Sequence, residues 1–231
     1  MPARPRRALA VAVCLALALA GAACSSDDED PAPETTAGAT ATCAGGELPV
    51  ADAGTDSFDA PEQVLKPGCA YSAVLATSLG DITVRLDPEA APETVNSFVF
   101  LATNGFYDGL TFHRVVPGFV IQGGDPTGTG SGGPGYTLPD ELPEGSGYPL
   151  GALAMANAGP GTAGSQFFIV TGDASALPNA YSQFGTVTDG LEVAQAIEGL
   201  ADPSADPGDP TAQGPTETVT ITAVRVTETT T

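Results

Sequence analysis

The sequence predicts an all-β-dominated fold, a closed eight-stranded antiparallel β-barrel capped by two α-helices. Three features predict it. Short apolar segments of strand length recur from about Tyr71 onward, separated by turn-forming stretches. Only two segments carry helical spacing. The 231 residues include 29 glycines and 21 prolines, so turns are frequent and long helices scarce. With 42% hydrophobic residues, the chain can fill a core of its own. Two helices and about eight short strands fit a barrel closed on itself.

The elements follow in order. Ile82, Val84 and Leu86 alternate with Thr83, Arg85 and Asp87, the period of a half-buried strand, and Ser78-Leu79-Gly80-Asp81 before them reads as a hairpin turn. Ala91-Pro92-Glu93 opens a helix, with Pro near the first position and an acid in the first turn. Val95, Phe98, Val99 and Ala102 form its apolar face, and Asn104-Gly105 ends it. Strands are expected at Phe112–Val116, Phe119–Gln122, Gly151–Ala156, Gln166–Thr171, Phe184–Val187 and Thr218–Thr227. A second helix follows Asp189-Gly190, with Val193, Ala196, Ile197 and Leu200 on one face. Residues 125–147 and 201–216 read as long loops, and no internal repeat is visible.

Charge narrows the function. Past residue 23 the chain carries four cations against all 28 acidic groups, a formal −24. That excludes a binder of the nucleic-acid backbone, which needs a basic patch, and disfavours adhesion to anionic lipid through protein charge.

Arg4, Arg6 and Arg7 precede an uncharged run from Ala8 to Ala23, shorter than the roughly 20 residues of a membrane span. A basic stretch, an apolar run and small residues at its end read as a secretory signal over 1–23. Gly21-Ala22-Ala23 leads into Cys24 and resembles a bacterial lipobox, with Gly21 where Leu is usual. Lipidation of Cys24 is expected, plain secretion after Ala23 being the alternative. Residues 24–42 then form a disordered tether without a large apolar residue, reaching about 20–25 Å. Cys43 and Cys69 remain in the exported chain, where two cysteines pair, and the segment 43–70 is expected as a disulfide-linked lead-in to a domain over 71–231. Two cysteines and one distant His113 make no zinc set, so no metal or other cofactor is expected.

Between Arg85 and Arg225 the chain holds no Lys and a single Arg, Arg114. It sits in the apolar string Phe112-His113-Arg114-Val115-Val116, followed by Pro117-Gly118-Phe119-Val120-Ile121-Gln122. A Pro-Gly turn between two adjoining strands would set Arg114 beside Gln122. A surface ion pair is the plainer reading of the arginine, and on composition alone the two stand level.

The stretch from Phe112 through Gln122 to Gly123-Gly124-Asp125 resembles the signature of cyclophilins, the peptidyl-prolyl cis-trans isomerases. A second block, Met155-Ala156-Asn157-Ala158-Gly159-Pro160-Gly161-Thr162-Ala163-Gly164-Ser165-Gln166-Phe167-Phe168-Ile169, is similar to the same family. Order and spacing match from about Val74 to Val226, and the short loop over 125–136 is similar to bacterial members. The resemblance implies the barrel already read from the pattern, and catalysis of proline isomerisation in exported polypeptides without a cofactor. It makes Arg114 the catalytic residue and Gln122 the residue that positions it. Phe119, Val120, Phe168 and Leu177 become the proline pocket, Asn157 the residue gripping the substrate backbone, and Gly130, Ala156, Gln166 and Tyr181 the rest of the groove. Read alone, Phe119 and Phe168 fit core aromatics, and Asn157 and Asp125 fit turn residues. His113 reads as a structural neighbour of Arg114, because this chemistry has no proton to move.

Ala176 stands where many eukaryotic members have a groove tryptophan, and Tyr181 where they often have His. The expected partners are proline-containing polypeptides, with the membrane touched only through the N-terminal lipid and the protein a monomer. The alternative function is a cyclophilin-fold peptide-binding or holdase module with little catalysis. A small-solute-binding lipoprotein would need two lobes, for which one barrel-sized domain leaves no room.

Overall fold

The computed structural model describes residues 42–43, 45–51, 57–145, 147–206, 209 and 213–231. The expectations for the signal, Cys24 and most of the tether lie outside these residues.

Strand β1 is a two-residue rung, Gly46–Glu47. Strand β2, Cys69–Thr77, alternates without a break, burying Cys69, Tyr71, Ala73, Leu75 and Thr77. It turns at Ser78-Leu79 into β3, Gly80–Leu86, which buries Ile82, Val84 and Leu86 as their alternation requires. Helix α1 spans Pro92–Thr103. Then come β4 (Arg114–Val116), β5 (Val120–Gly123), β6 (Ala152–Met155), β7 (Phe167–Val170), β8 (Gln183–Asp189), α2 (Leu191–Glu198) and β9 (Ile221–Thr230). The sheet runs β1-β9-β2-β3-β8-β6-β7-β5-β4, with every pairing antiparallel.

Its two ends meet just before β4 and β9. Gly109 N–H donates to Ile221 O (2.8 Å), Ile221 N–H to Leu110 O (2.7 Å) and Phe112 N–H to Val219 O (3.1 Å). Strands β2 to β9 are thus the eight expected staves, and β1 is an addition along the far end of β9. The first stave starts at Cys69, two residues before the expected domain boundary, because Cys69 and Ala70 already pair with Thr230 and Thr229. A bulge between Ala76 and Thr77 shifts the phase of β9. Ile221 points inward at one end, and Val224, Val226 and Glu228 do so at the other.

The interior is an aromatic mesh. Phe98 packs on Tyr107 (5.2 Å), Phe184 (5.2 Å) and Phe167 (6.1 Å), and Phe112 on Phe167 (6.3 Å). Each of these rings is fully buried. Glu228 is the charged intruder, wholly buried and held by Lys66 Nζ at 2.9 Å.

Helix α1 is buried from Thr94 to Ala102, far beyond a one-sided stripe. The lead-in covers its outer side. Asn96 Oδ1 accepts from Val64 N–H (2.9 Å) and Leu65 N–H (3.2 Å), its Nδ2 donates to Glu62 O (2.9 Å), and Phe58 packs on Phe100 at 5.0 Å. Its first turn lacks a local side-chain cap. Glu141, from a distant loop, accepts from Glu93 N–H (3.0 Å) and Thr94 N–H (2.8 Å) instead. A disulfide joins Cys43 to Cys69, with Cα atoms 5.8 Å apart.

Helix α2 corrects one residue of the expected face, since Val193, Ile197 and Leu200 pack against the core and Ala196 does not. Ala194 and Ile197 are its buried residues, whereas Ala196 is exposed and Leu200 lies past the helix end. Gly190 before it adopts φ 77° against the backbone of Asp81 and Ile82, which leaves no room for a Cβ. Among the described residues no helix is long and apolar enough to cross a membrane.

Candidate active site

Antiparallel pairing sets Arg114 opposite Gln122, Gln122 opposite Phe168, and Phe168 opposite Ala154. Directly paired residues point to the same side of a sheet. These four therefore form one row across β4, β5, β7 and β6, on the face opposite the aromatic mesh. The turn that creates the row is Val116-Pro117-Gly118-Phe119. Proline fixes one φ, Gly118 takes φ 68°, and Phe119 N–H donates to Val116 O (3.1 Å).

A cavity of about 520 Å³ opens over this row. Arg114, Gln122, Phe119, Val120, Gly130, Ala156, Asn157, Phe168, Leu177 and Tyr181 all line it. Gln166, the remaining residue of the expected groove, lies in an adjoining cavity of about 420 Å³, which shares Gln122, Gly130, Ala156 and Asn157 with the first. The floor is a small apolar cluster of its own. Val120, Tyr148, Ala152, Ala154, Phe168, Val170 and Ala174 are buried, with Val116, Phe119, Ala156, Leu177 and Tyr181 half-covered at its edge. Ala176 is exposed and leaves the rim open.

The polar side is a chain of amides. Arg114 Nε donates to Gln213 Oε1 (2.8 Å) and Nη1 to Gln122 Oε1 (3.3 Å). Gln122 Nε2 donates to Gln166 Oε1 (3.0 Å), and Gln166 Nε2 to Gly132 O (2.8 Å). Burial lowers the pKa of Arg114 from its ordinary value, Tyr181 opposing, yet a guanidinium remains a cation in any protein. Among the described residues Arg114 faces no carboxylate within ion-pair distance, so the plainer reading of the arginine does not hold.

Asp125 does more than form a turn. Its carboxylate, 1% exposed, accepts from Thr127 N–H (2.7 Å), Thr127 Oγ1–H (2.8 Å) and Gly130 N–H (2.6 Å), and so fixes the loop that supplies Gly130 and Gly132. Asn157 is committed internally. Its Nδ2 donates to Ala180 O (2.8 Å), and its Oδ1 accepts from Gly159 N–H (3.2 Å). His113 lines the cavity with both ring nitrogens buried and, among the described residues, without a hydrogen-bond partner of good geometry, Gln166 being a polar neighbour. Its pKa is lowered, mainly by burial and secondarily by Arg114.

Sequence reasoning missed two contributors. Tyr148 packs on Phe168 (6.0 Å) and Tyr181 (6.2 Å), and its hydroxyl donates to Tyr181 O (2.8 Å). An aromatic inside a Gly- and Pro-rich loop was the available signal. Gln213 lies 99 residues from the arginine it holds, and nothing local marks it. Among the described residues, one group of metal-ligand type converges, namely Cys43, Cys69 and Glu228. The disulfide consumes both sulfurs and leaves one carboxylate. An apolar slot beside a fixed cationic donor can hold a ring and direct hydrogen bonds at an atom next to it.

Comparison with known proteins agrees with this arrangement. Residues 72–226 match the family model for cyclophilin type peptidyl-prolyl cis-trans isomerase. The chain is 58% identical over 116 residues to peptidyl-prolyl cis-trans isomerase B of Bacillus subtilis, covering 49% of this chain and 80% of that protein. It is 43% identical over 176 residues to peptidyl-prolyl cis-trans isomerase A of Mycobacterium tuberculosis, covering 69% and 94%. A cyclophilin type isomerase of Cryptosporidium parvum superposes with a TM-score of 0.61 at 32% identity, over 68% of this chain and 97% of that one. A second crystal structure of it was determined in the presence of the dipeptide Ala-Pro.

Proposed function

Because this chain belongs to the cyclophilin-type peptidyl-prolyl cis-trans isomerases, we propose that Arg114 lowers the rotational barrier and that the enzyme serves exported polypeptides outside the cytoplasm. Peptidyl-prolyl cis-trans isomerisation of proline-containing peptides is its activity.

Turning an X–Pro amide breaks its conjugation, against a barrier of about 18–20 kcal/mol. No bond to another atom forms or breaks. In the twisted state the proline nitrogen regains a localised lone pair, which accepts a hydrogen bond that neither planar state can accept. A donor fixed at that point favours the transition state selectively. The observation that carries the reading is the guanidinium held by Gln213 and Gln122 beside the apolar floor. Two of its nitrogens are anchored, and the remaining N–H groups serve the substrate. Phe119, Val120, Phe168 and Leu177 take the proline ring. Asn157, its side chain already engaged, meets the peptide through its main chain. The dipeptide Ala-Pro, in whose presence the Cryptosporidium neighbour was crystallised, is a compound of this chemistry.

Arg114→Ala is expected to cost about 2–4 kcal/mol of transition-state stabilisation, roughly 30- to 1,000-fold in kcat/KM. NMR exchange or coupled proteolysis of a proline peptide reads the loss. Equal rates would remove Arg114 from the chemistry.

The leader pattern over 1–23 and the Cys43–Cys69 bond support the extracytoplasmic placement, since disulfides persist in oxidising compartments. Lipid on Cys24 would anchor the isomerase at the membrane surface. Mass spectrometry of the mature protein is expected to find an N-terminal acylated Cys24; a free thiol there would make the protein soluble and secreted, and an uncleaved leader would overturn the placement.

A further inference from the structure

We infer that Gln213 is a positioning residue for isomerisation, an uncharged clamp that aims the Arg114 guanidinium without neutralising it; the inference rests on the reading of Arg114 given above.

The chain past residue 23 has four cations. Three of them face carboxylates: Lys66 meets Glu228 at 2.9 Å, Arg85 meets Asp87 at 3.8 Å, and Arg225 meets Glu47 at 3.8 Å. In a chain with 28 acidic groups that is the ordinary outcome. Arg114 differs, since among the described residues its side-chain hydrogen bonds run to two amide oxygens, Gln213 Oε1 and Gln122 Oε1. An amide fixes the plane of a guanidinium as a carboxylate does but adds no negative charge. A carboxylate at the same place would offset the positive field that the twisted proline nitrogen experiences.

Of the two clamps, Gln213 holds the shorter bond, 2.8 Å against 3.3 Å. It is also locked from behind. Its residue is 6% exposed, and its backbone carbonyl accepts Val115 N–H at 2.7 Å. The loop thus grips β4 twice, through main chain next to the arginine and through side chain at Nε. The main-chain grip does not involve the amide group, so replacing the side chain removes the clamp at Nε and keeps that main-chain bond. The guanidinium is planar, so hydrogen bonds at Nε and at Nη1 together settle its orientation.

The test uses the full chain and a proline peptide, with kcat and KM resolved by NMR exchange. Gln213→Met keeps the volume and removes the acceptor. It is expected to lower kcat about tenfold with KM within about twofold, and to shift the Arg114 Nε–H signal and speed its exchange with water. Gln213→Glu keeps an acceptor, should retain that signal, and should fall between the wild type and Gln213→Met in kcat. In an Arg114→Ala background Gln213→Met should do nothing further. Wild-type kcat in Gln213→Met, the same loss in both backgrounds, or a Gln213→Glu enzyme no better than Gln213→Met would each overturn the inference. If Arg114→Ala is slow while Gln213→Met matches wild type, only the clamp falls; if Arg114→Ala is unimpaired, the reading of Arg114 falls with it.

Discussion

Strands β5, β6 and β7 present two faces that the chain treats in opposite ways. Inward, Ile121, Leu153, Met155, Phe167 and Ile169 are fully buried against the aromatic mesh. Outward, Val120, Ala154, Phe168 and Val170 are buried too, but under half-covered side chains instead of a helix. The two helices contribute their buried side chains to the inner cluster and none to the outer one, which loops roof without closing. The same alternation of side chains thus builds a sealed core and an open floor. What separates them is which face receives a cover, and the uncovered one carries the chemistry.

The sharpest way to break that comparison is to truncate neighbours on one strand. Phe167→Ala removes a fully buried ring that touches Phe98, Tyr107 and Phe112. It is expected to cost about 3–5 kcal/mol of folding stability, measured by chemical denaturation. Phe168→Ala loses contacts with Tyr148 and Tyr181 beside open space. About 1–2 kcal/mol of stability should go, with roughly tenfold in kcat/KM. Equal stability losses for the two would mean that both faces act as core.

Between these in stability lies the staple. Cys43→Ser opens a loop of sequence separation 26, worth up to about 3.5 kcal/mol in the chain-entropy model. Cys69 points to the inner side of β2, so this loss should leave kcat/KM on a proline peptide within about twofold. A parallel fall in activity would link the lead-in to the groove.

Much of this contrast is legible in the sequence, because period-2 patterning is local. Ile82, Val84 and Leu86 announce their strand, and Pro117-Gly118 between two apolar runs brings Arg114 opposite Gln122. Interactions without a local signal are not legible. Gln213 sits in an Asp-Pro-rich loop, Glu141 caps a helix 47 residues away in sequence, and the β1 rung is two residues long. On α2 the expected Val193, Ile197 and Leu200 do pack inward, but Ala194 and Ala196 are near-equal candidates in sequence, and only packing on the barrel chooses Ala194. In β9 the bulge opposite Ala76–Thr77 shifts the alternation between Ile221 and Ala223, so no single phase describes the strand. Family resemblance supplied the groove residues and Gln122, but it did not mark Gln213, the second amide that clamps the arginine.

The smallest expected effect also divides the faces, through pH. His113 lines the groove, and burial, with Arg114 adding to it, lowers its pKa from 6.5, against the pull of Asp125. The folded state therefore binds this proton less readily than the unfolded one. Stability from His113 is complete above pH 6.5 and declines as the pH falls from 6.5 toward the lower folded value. Asp125 adds a second stage. Burial alone would raise its pKa, but hydrogen bonds from Thr127, Gly132 and Gly130 outweigh it and hold the group below 3.8. Its contribution is present above that value and is lost as the pH falls through the folded one. Melting temperatures across a pH series should show both steps in the wild type and only the lower step in His113→Gln. On the inner face, burial drives the Tyr107 hydroxyl well above its ordinary value, so that group stays neutral throughout the acid range. A Phe167→Ala protein should accordingly keep the same acid profile, displaced to lower stability. A changed profile would show that the two faces share their titrating groups.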